Sequence, residues 1–441
     1  MSPAHHLLGI FTRYPEPGRT KTRMIPRLGA EGAARLQEAM TGHTLLRARV
    51  WAATRNARLC VHFTGATKRR FQKWLGPDLP YTAQAGPDLG ARMAHAIDSG
   101  LQGGEDRVVL IGCDCPDLSD EQLDAAMAAL DDHDVVLGPA TDGGYYLIGM
   151  KRVQPALFKD MAWGGPDVLS HTRLRAAENR LRLAELPPLQ DVDEPGELPI
   201  WERHDPNQHG DGISVIIPAR NEEQHIAAAV RSALGGAREV IVIDADSSDG
   251  TREAALAAGA RILTAPAGRA IQMNIGASSA KGRHLLFLHA DSRVPEHYAT
   301  HASAILARKD TAAGAFSLAI DAEGRRFRAV EWGVRQRVRL FALPYGDQAL
   351  FMTRDTFTRV GGYAQMPLME DLDLVRRLKR RGRIVIAAEP ILTSSRRWRR
   401  LGVARSVARN QLILLAAACG VTTERLARWY NTKDPDFMRI R

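Results

Sequence analysis

Residues 213–251 read ISVIIPARNEEQHIAAAVRSALGGAREVIVIDADSSDGT. The apolar run ISVIIPA opens into Arg220, Asn221, Glu222 and Glu223, and an Ala-rich helical stretch follows. A second apolar run, EVIVID, then opens into Ala245, Asp246, Ser247, Ser248, Asp249 and Gly250. Short continuous apolar strands alternating with helices are buried on both faces, which predicts a mostly parallel sheet covered by helices. The runs ARILTA and HLLFLHA continue the pattern downstream.

The first half of the chain has the same grammar. LLGIFT, ARLCVHF, RVVLIG, DVVLG and YYLIG are its apolar strands, with helical stretches at 29–50 and 89–101 among the segments between them. RVVLIGCDCP and HLLFLHADSRVP each run a strand into an Asp followed by a Pro, which hints at one architecture used twice. Between the halves, residues 186–212 are rich in Pro, Gly, Asp and His without a sustained apolar period. The expected organisation is a first α/β domain over residues 1–203, a linker at 204–212 and a second α/β domain over 213–441.

At 441 residues, 45% hydrophobic and 25% charged, the chain has globular values that exclude disorder and fibrous repeats. Cys60, Cys113, Cys115 and Cys419 are too few for a disulfide framework, and Cys113-Asp114-Cys115 lacks the spacing of a CxxC metal or redox pair. The two close cysteines read as packing residues at a strand end. The N-terminal residues show no export signal, and the longest apolar segment, LILLAAACGV at 412–421, is about half of the roughly 20 residues a bilayer span needs. The expected location is the cytoplasm.

The net charge of +10 is concentrated, with twelve Arg or Lys residues against the single acid Glu389 in residues 376–409. That stretch suits phosphates or acidic lipid, and no recognisable nucleic-acid-binding pattern accompanies it, so nucleic acid is not an expected partner. Arg397-Trp398 followed by the apolar segment leaves two readings open: peripheral contact with the inner membrane face, or a core helix beneath a solvated face.

In open parallel sheets ligands gather beyond the carboxyl ends of strands, where Asp244, Asp246 and Asp291 stand. Asn221 and Asp249 also suit helix N-caps, since both residue types accept from free N–H groups. Taken in order, SVIIPARNEE, VIDADSSDGT, GRAIQMN, LLFLHAD and MEDLD resemble the family 2 glycosyltransferases, in detail the subgroup associated with arsenosugar biosynthesis and radical-SAM enzymes. The resemblance runs from 213 to about 433. It implies a GT-A fold, a nucleotide-sugar donor of UDP or GDP type, a small-molecule or lipid acceptor, and Mg2+ or Mn2+.

On that resemblance, Asp291 is the metal ligand, with His289 where the family's first acid would stand. Glu222, Asp244, Asp246, Arg269, Gln272 and Asn274 are donor-binding residues, and Asp371 is the catalytic base, with Glu370 and Asp373 as rivals at the same helix start. Asp347, Gln348 and Glu370 form the acceptor loop. Ala245 replaces the usual second Asp of the VDDGS-type motif, which leaves the nucleotide open. RW at 397–398 without the Gln of QxxRW points to single transfer.

In the first half, Pro15-Glu16-Pro17-Gly18-Arg19-Thr20-Lys21-Thr22-Arg23 follows the first strand, and Arg19, Lys21 and Arg23 suit a phosphate-wrapping turn. Asp114 and Asp142 lie at strand ends and are the expected metal ligands there. These segments, with DVDEPGEL at 191–198, resemble the DUF2064 family, GT-A-like transferases related to small nucleotidyltransferases. The implied whole is two tandem GT-A (nucleotide-diphospho-sugar transferase, Rossmann-like) domains in a bifunctional enzyme. Two alternatives stand beside it: a second domain that glycosylates a lipid or carotenoid acid, and a first domain that is a non-catalytic nucleotide-binding scaffold.

Overall fold

The computed structural model describes residues 5–208 and 210–431, and residue 433, where the expected resemblance ends, lies outside them. The chain divides into two compact units, Met1–Gln208 and His209–Arg441. The expected linker is partly structured: a 3-10 turn at Pro206–Gln208 leads into a strand that already begins at Gly210.

The first unit holds a seven-stranded sheet. Its strands are β1 (His6–Arg13), β2 (Arg58–Thr64), β3 (Tyr81–Ala83), β4 (Arg107–Ile111), β5 (Val135–Pro139), β6 (Tyr145–Met150) and β7 (Leu183–Glu185). The order is β3-β2-β1-β4-β6-β5-β7, parallel except for β6, which runs antiparallel to both neighbours. Its apolar side chains pack in layers on either side, one around Trp51, Phe71 and Trp74 and another around Ile97, Leu157 and Leu169. Cys113 and Cys115 are buried in the first of these, as packing residues.

The second unit holds eight strands: β8 (Gly210–Ala219), β9 (Ala237–Asp244), β10 (Arg261–Thr264), β11 (Gly282–Phe287), β12 (Ser292–Arg293), β13 (Thr311–Asp321), β14 (Phe351–Thr353) and β15 (Arg383–Ser394). The order is β10-β9-β8-β11-β14-β13-β15-β12. With the two-residue β12 set aside, this is the order of the first sheet, and β14 is antiparallel where β6 is. The Asp-Pro echo therefore marks a shared topology: Asp114 follows β4 and Asp291 follows β11, the equivalent strand. Both units are α/β domains of the GT-A, Rossmann-like kind.

The topology fixes where chemistry can occur. β8, β9 and β11 are mutually parallel and end at Ala219, Asp244 and Phe287, so the loops after them open on one sheet edge.

Candidate functional site

At that edge of the second unit lies a cleft of about 860 Å³. Arg220 and Glu222 line it from the loop after β8, and His289, Ala290 and Asp291 from the loop after β11. Helix Arg269–Ser279 adds Arg269 and Gln272, and the start of helix Glu370–Leu378 adds Glu370 and Asp371. Met366, Pro367, Leu368 and Met369 form an apolar wall, which the late helix Val403–Ala418 extends with Ile413 and Leu414.

Asp371 is held from two sides. Gly346 N–H donates to its Oδ2 and Leu372 N–H to its Oδ1, each at 2.7 Å. A β-carbon at position 346 would lie 3.3 Å from Asp371 Oδ2 and 3.1 Å from His289 Nε2, so glycine is what lets this loop approach the carboxylate. The two rivals are committed elsewhere. Asp373 pairs with the buried Arg377 at 2.8 Å, and that arginine also donates to the carbonyls of Val360 and Gly362. Glu370 is buried against Arg269 at 3.3 Å; burial drives its carboxyl above the usual range although Arg269 opposes this.

Arg396 was not singled out by sequence reasoning, yet it organises this cleft. Its guanidinium donates to Glu222 Oε1 at 2.7 Å and stands 3.9 Å from Asp291 Oδ2. The one sequence signal for it is its place immediately before the RW pair; Trp398 of that pair also lines the cleft.

The other predicted donor residues divide. Asp244 is fully buried at the end of β9, accepts from the Ser247 hydroxyl and backbone N–H, and is not among the cleft-lining residues. Asp246 is exposed with a left-handed φ of 56°, and it too is outside the lining. Asn221 and Asp249 cap across the two loops: Asn221 Oδ1 accepts from Ser248 N–H, while Asp249 accepts from the N–H groups of Glu223 and Thr251.

Three amides expected at the donor or acceptor hydrogen-bond within the protein. Gln272 donates to the carbonyls of Ala219 and Ile243, tying β8 to β9 beneath the cleft floor it also lines. Asn274 donates to Tyr363 O at 2.9 Å and accepts from Tyr363 N–H at 2.8 Å, so both its amide nitrogen and its oxygen pair with the backbone of one buried residue. Gln348, also buried, donates to Phe316 O and accepts from Arg337. Asp347, beside it, does line the cleft.

In the first unit, Lys21 adopts a left-handed conformation after the Pro-Gly turn and is nearly fully buried. Its ammonium donates to Asp114, to Val192 O at 2.7 Å and to Asp193 Oδ1 at 2.7 Å. Burial alone would lower its pKa, but Asp114 and Asp193 outweigh that and hold it above the ordinary lysine range. Asp191 lies in the same neighbourhood, its carboxyl pushed up to about 6 by burial and by Asp142. Arg19 and Arg23 are exposed, Arg19 pairing loosely with Glu16 at 3.5 Å.

Asp114 and Asp142, the expected cation ligands, each make contacts within the protein. Asp114 takes the Lys21 ammonium, and Asp142 turns back to accept from Gly144 N–H at 2.8 Å. Burial pushes the Cys113 thiol up to about 12 and Cys115 higher still, which keeps both protonated. Among the described residues, no group of three or more His, Cys, Asp or Glu side chains is arranged to hold a metal. In the second unit, Asp291 offers one carboxylate to the cleft, so a divalent ion there fits only with further oxygens from a bound ligand.

Comparison with known proteins agrees with this division. The family model for DUF2064, an uncharacterised protein conserved in bacteria, matches residues 47–165, and that for glycosyl transferase family 2 matches 214–366. The chain joins a DUF2064 domain to a family 2 glycosyltransferase domain. Among solved structures, it is 35% identical to a protein from Desulfovibrio desulfuricans G20 that carries the provisional name nucleotide-diphospho-sugar transferase. That match covers 46% of this chain and 89% of the other, with a TM-score of 0.43.

Staphylococcus aureus TarS 1–349 in complex with UDP-GlcNAc is 15% identical over 42% of this chain and 58% of its own, with a TM-score of 0.33. Glucosyl-3-phosphoglycerate synthase from Mycobacterium tuberculosis, solved with phosphoglyceric acid, is 20% identical over 48% and 81%, with a TM-score of 0.31. No curated protein matches. The family 2 segment contains Glu222 and Asp291, whereas Asp371 and Arg396 lie beyond it; Lys21 and Asp193 likewise fall outside the DUF2064 segment.

Proposed function

We propose that the second domain transfers a glycosyl unit from a nucleotide-sugar donor with inversion, and that Asp371 is its general base. The observation that carries this reading is the Asp371 carboxylate, fixed on the cleft wall by the Gly346 and Leu372 N–H groups, in a cleft that also presents Arg269 and Arg396. An inverting displacement needs one carboxylate near the acceptor hydroxyl, and proton removal there is worth about 10²–10⁴ in rate. Departure of a nucleoside diphosphate needs positive charge, which Arg269 and Arg396 bring to the cleft. Asp291 would hold Mg2+ or Mn2+ together with donor phosphates, and the ion would further neutralise the leaving group. UDP and GDP donors remain equal candidates because Ala245 removes a usual base contact.

The apolar wall of Met366, Leu368, Met369, Ile413 and Leu414 favours an acceptor with an apolar portion over a wholly polar one. A lipid or carotenoid-type acid fits that wall, and a small arsenosugar-like acceptor uses only the Asp371 end. For the first domain, a nucleotidyl- or glycosyltransferase reaction follows the fold, while the engagement of Lys21 by two carboxylates supports the scaffold alternative. The test is calorimetric titration of the full chain with UDP- and GDP-sugars, with and without Mn2+. Saturable binding of a nucleotide sugar supports the reading, and no heat with any of them refutes it.

A further inference from the structure

Helix Arg325–Phe341 turns Phe327, Glu331 and Val338 inward and packs against helix Val403–Ala418. Its opposite face and its end carry Trp332, Leu340 and Phe341, which are 60%, 71% and 58% exposed. The neighbouring helix exposes Val407 and, at 63%, Leu415. Among the described residues of the second unit, the only other large hydrophobics as exposed are Leu234 and Leu256, so the apolar exposure is gathered on these two helices.

The same two helices are basic on their exposed surfaces. Arg325, Arg326, Arg335 and Arg339 are exposed on the first helix and Arg405 on the second. The only acid of helix Arg325–Phe341, Glu331, is buried, accepting from Ile320 N–H and pairing with Arg328. A soluble surface gains nothing from grouping Trp, Leu and Phe among unpaired-sign charge; an interface between water and anionic acyl lipid stabilises both at once.

We propose that this face seats the second unit on an anionic lipid bilayer. The arginines meet headgroup phosphates while Trp332, Leu340, Phe341 and Leu415 enter the boundary with the acyl chains. A second copy of the chain would set these arginines against one another, and a nucleic acid would leave the apolar side chains in water. Helix Val403–Ala418 connects surface to cleft, since Leu415 faces outward while the adjacent Ile413 and Leu414 line the cleft. The inference concerns binding alone and stands whether or not the proposed reaction does.

The experiment is co-sedimentation of the full chain with vesicles of phosphatidylcholine and of equal parts phosphatidylcholine and phosphatidylglycerol. The chain partitions onto the mixed vesicles and not the zwitterionic ones. Arg335→Gln with Arg339→Gln weakens that partitioning about thirtyfold, from the loss of two charges near the surface. Trp332→Ser with Leu340→Ser and Phe341→Ser weakens it by at least about tenfold, since three apolar side chains no longer leave water. Absence of binding to anionic vesicles overturns the proposal, as does binding that neither variant changes. A dimer that dissociates in the triple variant, without vesicle binding, overturns it in favour of self-association.

Discussion

The Arg396 guanidinium and the Glu222 carboxylate meet at 2.7 Å in the cleft although 174 positions separate them. A forked cation placed here joins the loop after β8 to the segment after β15 and presents positive charge beside Asp291. Both Arg396→Ala and Arg396→Lys are expected to raise the donor KM about tenfold, because a lysine lacks the planar fork. Turnover measured against donor concentration checks this, and an unchanged KM in the alanine variant removes Arg396 from the site.

Asn274 distinguishes a structural amide from a donor contact. Asn274→Ala leaves the N–H and C=O of buried Tyr363 without their partner and costs about 2–4 kcal/mol of stability. Thermal denaturation reads that loss, while nucleotide-sugar affinity at low temperature stays as in the parent. Lost affinity with an unshifted melting transition would restore the donor-contact role.

Lys21→Met withdraws a buried ammonium from Asp114 and Asp193. Those carboxylates keep nearly half their exposure, so the cost is about 2 kcal/mol and not the full penalty of a wholly buried pair. A unit of this size then melts about 4–8 °C lower. Calorimetric melting of the full chain follows the first transition, and a melting temperature equal to the parent's contradicts the account.

His43 lies edge-on to Trp201 and His204, and burial, with His204 next, pushes its pKa down to about 3. Below about pH 6.5 the unfolded chain binds a proton at this histidine that the folded chain refuses, so acid favours unfolding. The contribution is present at neutral pH and is lost as pH falls from about 6.5 toward 3. Melting temperatures recorded across that range should fall less steeply in His43→Gln than in the parent; identical slopes would exclude the histidine as a cause.

Strands and strand-end acids were legible because a buried parallel sheet writes continuous apolar runs, and the residue after each run has few places to go. Asp291 stands after such a run, whereas Asp371, at the start of helix Glu370–Leu378, is reached only through the resemblance of MEDLD to the family motif. Asp244 obeyed the same rule yet is buried beneath its own loop by Ser247, a contact that spacing cannot reveal. The three amides show a related limit of spacing: Gln272, Asn274 and Gln348 have the chemistry of ligand contacts, and only three-dimensional packing shows that each also donates to a backbone carbonyl. Arg396 and Lys21 depend on partners far along the chain, so one basic run and one Pro-Gly turn gave their residue type without their role.

The most direct test of the central claim compares the parent with Asp371→Asn, in donor binding by calorimetry and in nucleoside diphosphate release. Proton removal is the only function assigned to this carboxylate, so release should fall by about 10² or more while donor affinity stays within about twofold. Equal rates of release, or donor affinity lost in step with the rate, would contradict the assignment of Asp371 as the base.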